Sequence, residues 1–121
     1  MNVLKRNKKP LYHCKWYLDN NITKYHEPIA RDINYEPTNS DAQLYAFGTN
    51  YSIYLTAKVL PELGKEFKSG DKCYIYTTPP LEHDLLCKGA DYIVDGEPIT
   101  TINVTEIKFK RLSKKPSDNN G

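Results

Sequence analysis

His83 and Cys87 stand four residues apart in the stretch "TTPPLEHDLLCKGADYIV" (77–94), with Cys73 upstream and Glu82 and Asp84 flanking the histidine. On a helix, positions i and i+4 share a face, so this spacing can offer an imidazole and a thiolate to one metal ion, with Cys73 as a third ligand. Against a metal stand the missing C-x-x-C and H-x-x-x-H pairs and the lack of an evident fourth ligand. The plainer reading, and the one favoured here, is a connecting loop or short helix whose leucines pack on the body while His83 faces water. His26 beside Glu27, like His83 between Glu82 and Asp84, could act in acid–base catalysis if a cleft gathered them. Histidines among carboxylates are more commonly just solvated. No G-x-S-x-G, Walker or Rossmann glycine pattern occurs, and no cysteine shows a partner base. The expectation is a protein that is not an enzyme, with no catalytic residue, no metal and no cofactor.

The elements that would position these groups are short and mostly extended. In "YSIYLTAKV" the odd positions Tyr51, Ile53, Leu55, Ala57 and Val59 are apolar and alternate with polar neighbours, which marks a half-buried strand. "YHCKWYL" repeats the pattern: Tyr12, Cys14, Trp16 and Leu18 share one face, and His13, Lys15 and Tyr17 share the other. Cys14 then falls on the apolar face as a packed thiol. "TKYHEPI" (23–29), "AQLYAFG" (42–48) and "KCYIYTT" (72–78) read as further strands, and "DYIV" before Asp95-Gly96 signals a tight turn into "PITTINV". "TEIKFKRL" closes the fold, with Ile107 and Phe109 alternating against charges. Helix signals are confined to "LPELGKEF", with Pro61 at a first helical position and Leu60, Leu63 and Phe67 on one side, and to "PPLEHDLLCKG" between Pro80 and Gly89. With 121 residues, these elements make one all-β domain, a small β-barrel or sandwich with long loops and at most short helices. Its expected bounds are a basic arm over 1–10, the domain over 11–112 and a flexible tail over 113–121.

Charge is unevenly placed. Residues 1–9 carry +4 through Lys5, Arg6, Lys8 and Lys9, residues 108–121 carry +4, and the body between carries −6. Basic ends can dock on an acidic partner or on nucleic acid, or simply be solvated. Ten tyrosines against three phenylalanines favour strand surfaces and interfaces. Tyrosines on strands with basic ends also suit a barrel of the OB type that binds single-stranded nucleic acid. The acidic body argues against it, since a groove tracking phosphates should carry its lysines on the strands. No apolar run approaches membrane-spanning length, and no apolar stretch follows the basic N-terminus as in a secretory signal. The three cysteines read as reduced thiols.

Taken in order, "YHCKWYLDNNITKYHEPIARDINYEP", "AFGTNYSIYLTAKV", "GDKCYIYTTPP" with "ADYIV", and "TTINVTEIKFKRL" resemble the head-closure (stopper, or head–tail connector) proteins of siphophages infecting Gram-positive bacteria. The matching features are a Y-x-E-P-like step before a long loop, an F-G-x-x-x-x-Y strand entry, a G-D strand with a Y-x-V return, and an asparagine-bearing turn before a basic final strand. The resemblance covers about Leu11 to Leu112, and Thr77–Ala90 departs from it by its length. It implies a β-barrel that assembles as a homo-oligomeric ring in the virion neck, built in the host cytoplasm. There it would sit between the portal–adaptor complex and the tail terminator or other tail proteins. The ring retains packaged double-stranded DNA and then forms part of its channel, with no catalysis, cofactor or membrane. By position, the channel-closing loop of such proteins falls on Ala30–Asp41, with Asp32, Asn34, Glu36, Asn39 and Asp41 as candidates facing DNA. Candidates for partner docking are Lys5, Arg6, Lys8, Lys9, Glu82, His83, Asp84, Lys114 and Lys115.

Overall fold

A computed structural model describes residues 10–37 and 53–112. The elements are β1 (Leu11–Cys14), β2 (Trp16–Asp19), β3 (Ile22–Tyr25), β4 (Ile29–Arg31), β5 (Tyr35–Pro37), β6 (Tyr54–Val59), α1 (Pro61–Gly64), β7 (Lys72–Tyr74), β8 (Tyr92–Val94), β9 (Ile99–Thr100) and β10 (Thr105–Arg111). The all-β class is as expected. The strand predicted over 42–48 lies outside the described residues.

One antiparallel sheet runs in the order β4-β1-β7-β8-β10-β6-β5, and β9 pairs with β10 on the flank it shares with β8. The alternation of β6 sets its register on β10: Leu55, Ala57 and Val59 oppose Phe109, Ile107 and Thr105, all buried. Strands β4 and β5 are the two ends of this path, yet only residues 32–34 join them. A flat sheet of seven strands would separate its edges by about 29 Å. Four Cα steps reach only about 15 Å. The sheet therefore curls until its edges approach, and Ile33 is buried at the closure. Among the described residues β4 and β5 do not pair, which leaves a barrel with a lengthwise slit.

The interior holds Leu11, Leu55, Phe67, Tyr92, Val94, Ile107 and Phe109. A second cluster of Cys14, Tyr25, Tyr74, Cys87 and Ala90 lies apart from it, flanked by Tyr12, Trp16 and Leu112. It is covered by the hairpin β2–β3 and by the 77–90 segment. Neighbouring positions on β1 and β7 thus serve different clusters: Leu11 and Cys73 the interior, Cys14 and Tyr74 the second cluster. Period two cannot reveal a strand that is buried on both faces.

Three expectations are corrected here. The strand predicted over 12–18 breaks at Lys15, Leu18 is exposed, and His13, assigned to the polar face, is fully buried. Leu60 is exposed as well, because α1 makes a single turn and only Leu63 and Phe67 pack inward. Residues 80–89 form an irregular loop, which belongs to the favoured reading, and not the short helix that Pro80 and Gly89 also allowed; it is the facing of its side chains that is corrected. Within it Leu81, Leu85 and Leu86 face outward while His83 turns inward, the reverse of the expected arrangement. Asp91 explains why β7 is short: its two carboxylate oxygens accept the N–H groups of Ile75 and Tyr76 at 2.8 Å each, replacing the next rungs of the ladder.

Candidate functional site

Two constellations bring chemistry-bearing side chains together. The first is centred on Asp71, which follows Gly70 (φ 98) at the start of β7 and is buried. One of its oxygens accepts from His13 Nε2 at 2.7 Å and from the Lys68 backbone N–H at 3.0 Å, and the other accepts from the Trp16 backbone N–H at 3.1 Å. Arg31 Nε donates to His13 Nδ1 at 3.2 Å, so the imidazole proton must reside on Nε2 and the ring is neutral. Burial pushes the His13 pKa below its usual 6.5, although Asp71 pulls the other way and Arg31 adds to the lowering. The ring stacks on Phe67 with centroids 3.9 Å apart, and the Arg31 guanidinium lies 5.6 Å from that same ring.

Beside this node is a surface pocket of about 190 Å³ lined by Lys15, Trp16, His26, Lys65, Glu66, Lys68 and Asp71. Its charges are largely satisfied by each other. Lys15 Nζ pairs with Glu66 at 2.5 Å and holds that carboxyl below the usual range, and Lys68 lies over the Trp16 indole at 5.2 Å. His26 stacks on Tyr17 with centroids 4.3 Å apart. An Asp–His pair is present, but both imidazole nitrogens and all the hydrogen-bonding positions used on Asp71 serve to lock β1, β4 and the turn before β7 together.

The second constellation is the loop raised by the opening motif. Tyr25 N–H donates to the Leu85 carbonyl at 2.8 Å, and His83 Nε2 donates to the Tyr25 carbonyl at 2.7 Å, so the loop lies along β3 almost as another strand. Asp84 accepts from the N–H groups of Leu86 at 3.0 Å and Lys88 at 2.8 Å, which keeps its carboxyl below the ordinary range. These bonds turn Cys87 inward with φ 49, in the left-handed region that few side chains adopt. There Cys87 joins Cys14 in one buried cluster. The neighbouring Cys14 holds the Cys87 thiol down at about 7 against the effect of burial, with Tyr74, His83 and Lys72 assisting; the Cys14 thiol is pushed far up in turn. The Tyr74 hydroxyl is buried without a hydrogen-bond partner of normal geometry, and its contact with Cys87 is a polar approach only.

Cys73, the third member of the metal reading, sits in the interior rather than in this cluster, where burial raises its pKa strongly. Among the described residues no three His, Cys, Asp or Glu side chains are grouped so as to hold a metal ion. No helix among them is long and apolar enough to cross a membrane. Of the candidates facing DNA, Asp32, Asn34 and Glu36 are exposed and alternate with Ile33 and Tyr35. Glu36 belongs to β5 rather than to a free loop, and Asn39 and Asp41 lie outside the described residues. Of the docking candidates, Glu82 is exposed, His83 and Asp84 are engaged in holding the loop, and Lys5, Arg6, Lys8, Lys9, Lys114 and Lys115 lie outside the described residues.

Sequence reasoning missed Asp71, Asp91 and His13 as organising groups. "GD" before a strand and a histidine inside an apolar run were the available signals. It also passed over Asn20-Asn21, whose φ values of 55 and 67 make the two-residue turn of β2–β3. Compared with family models, curated proteins and solved structures, the chain finds no match in any of the three.

Proposed function

We propose that this chain is a non-enzymatic subunit of a phage neck, a head-closure protein that forms a ring between the portal–adaptor complex and the tail and retains packaged DNA. The observation that carries the reading is the placement of large apolar side chains on the surface of a small curled sheet, on the hairpin β2–β3 with the 77–90 loop bonded along it and again around the β9–β10 turn. Leu18 and Ile22 are 60% and 53% exposed on the hairpin β2–β3, Leu81 is fully exposed beside Leu85 and Leu86, and Ile99 and Ile102 are 58% and 89% exposed around the β9–β10 turn. Exposed apolar side chains on more than one set of elements suit a subunit that must offer unlike surfaces to its neighbours. The exposed Asp32 and Glu36 are consistent with a surface past which DNA slides, because carboxylates repel phosphates.

The test is recruitment. Purified protein should co-sediment with DNA-filled, tailless capsids that carry the adaptor, and the triple variant Leu81→Ser, Leu85→Ser, Leu86→Ser should lose at least tenfold in that binding with an unchanged melting temperature. Failure of the wild type to bind such capsids removes the proposal. Replacing Asp32, Glu36 and Asp41 together with lysine should slow DNA exit, and unchanged ejection would remove the channel role.

A second reading, a single-stranded nucleic-acid binder, is favoured by one feature. Tyr54 and Lys58 of β6 stand with Lys108 and Lys110 of β10 on the outward face, which also carries Thr56 and the carboxylates of Glu106 and of Glu36 on β5. It requires the purified protein to retard single-stranded oligonucleotide at low salt and to release it steeply as salt rises.

A further inference from the structure

Cys14 ends β1 and Cys87 ends a turn of the 77–90 loop, 73 positions later, yet both are completely buried in one packed cluster, near enough to shift each other's ionisation. Two thiols buried in the same small cluster are candidates for a bridge, which asks for Cα atoms within about 7 Å of each other. Nothing in the fold requires a thiol pair here, since two small apolar groups would fill the same space. His83 and Lys72 lie on the side of Cys87 and favour its ionised form, which is the form that reacts. Cys73 belongs to the other cluster and cannot compete.

We propose that Cys14 and Cys87 are a dithiol switch that closes to a disulfide under a hydroperoxide and so fastens the 77–90 loop to β1. The Cys87 thiolate attacks the peroxide oxygen; the O–O bond breaks, an S–O bond forms, and hydrogen peroxide leaves one water once a proton is added. Cys14, deprotonated as it reacts, displaces hydroxide from the resulting sulfenic acid, and a second water forms. Two electrons pass from the thiol pair to the peroxide, and the two thiol protons end in the waters. Entry needs only local opening of the loop, which the two bonds to Tyr25, the Lys72 Nζ bond to the Leu86 carbonyl at 3.2 Å and the packing of Cys87 and Ala90 hold in place. The switch does not depend on the neck reading and would stand if that reading failed.

The experiment treats the full chain with hydrogen peroxide, blocks remaining thiols under denaturing conditions and maps peptides by mass. The expected product is a monomer two hydrogens lighter, cross-linked from Cys14 to Cys87, with Cys73 still a thiol. Its melting temperature should rise by on the order of 10 °C, since a long loop is closed in the unfolded chain. Cys14→Ser should instead let Cys87 stop at the sulfenic acid and react with dimedone. A cross-link involving Cys73, intermolecular dimers as the main product, or direct over-oxidation of Cys87 in the wild-type chain would overturn the proposal. The wild-type mapping decides even if the serine variant does not fold.

Discussion

Asp71 accepts hydrogen bonds from the His13 ring and from two backbone N–H groups, all within the same buried node. Replacing Asp71 with Ala strands these donors, and each orphaned buried group costs about 1–3 kcal/mol. The expected loss is about 3 kcal/mol or more, measured as a fall in the urea midpoint. His13 gives the node a pH signature. Its folded pKa lies below the usual 6.5, so the unfolded chain takes up the proton first as pH falls. This contribution to stability is complete above about pH 6.5 and is lost on acidification, with a slope of at most about 1.4 kcal/mol per pH unit for one proton. His13→Gln should flatten the urea-midpoint profile between pH 7 and 5; an unchanged slope would show that the buried ring is not responsible. Neither role could be read from the chain. His13 and Asp71 are 58 positions apart, and a histidine alternating with Tyr12 and Cys14 looks solvated until β4 and Phe67 cover it. The pair His83 and Cys87 was conspicuous in the sequence, but its real partners, Tyr25 and Cys14, lie on strands far upstream.

At the level of elements, the single turn α1 crosses β10 at close range. A Cβ built on Gly64 would meet Thr105 Cβ at 2.5 Å, and Thr105 is itself fully buried and hydrogen-bonded to Thr100 at 2.7 Å between their hydroxyls. Gly64→Ala therefore forces the turn off the strand and should cost on the order of 1–3 kcal/mol. Adding Thr105→Gly, which removes every atom of that clash, should recover part of the loss in a double-mutant cycle, whereas strictly additive effects would argue against the contact. Asp91 acts similarly at the end of β7: Asp91→Ala should speed hydrogen exchange at Ile75 and Tyr76 while leaving the β6–β10 ladder protected. The legible elements were those with one wet face. β6 and β10 showed their register in plain alternation, because Leu55, Ala57, Ile107 and Phe109 face the interior and lysines face out. β1 and β7 were illegible because both faces are covered. The 80–89 segment looked helical because Pro80 and Gly89 frame a leucine-rich run. Tertiary bonds to β3 overrode that local preference.

For the molecule as a whole, the all-β class followed from many short extended segments and few helix signals, whereas closure came from topology that no local pattern carries. The acidic body also takes on a different meaning once folded. Asp71, Asp84 and Asp91 hold backbone N–H groups, so part of the negative excess is structural rather than a coating for a channel. The charge argument for DNA passage therefore narrows to exposed groups such as Asp32 and Glu36. Among the described residues, β4 and β5 approach without a ladder between them. A shear of one edge past the other therefore ruptures no rung of the described sheet, and resistance falls to the side chains packed behind it, Ile33 among them.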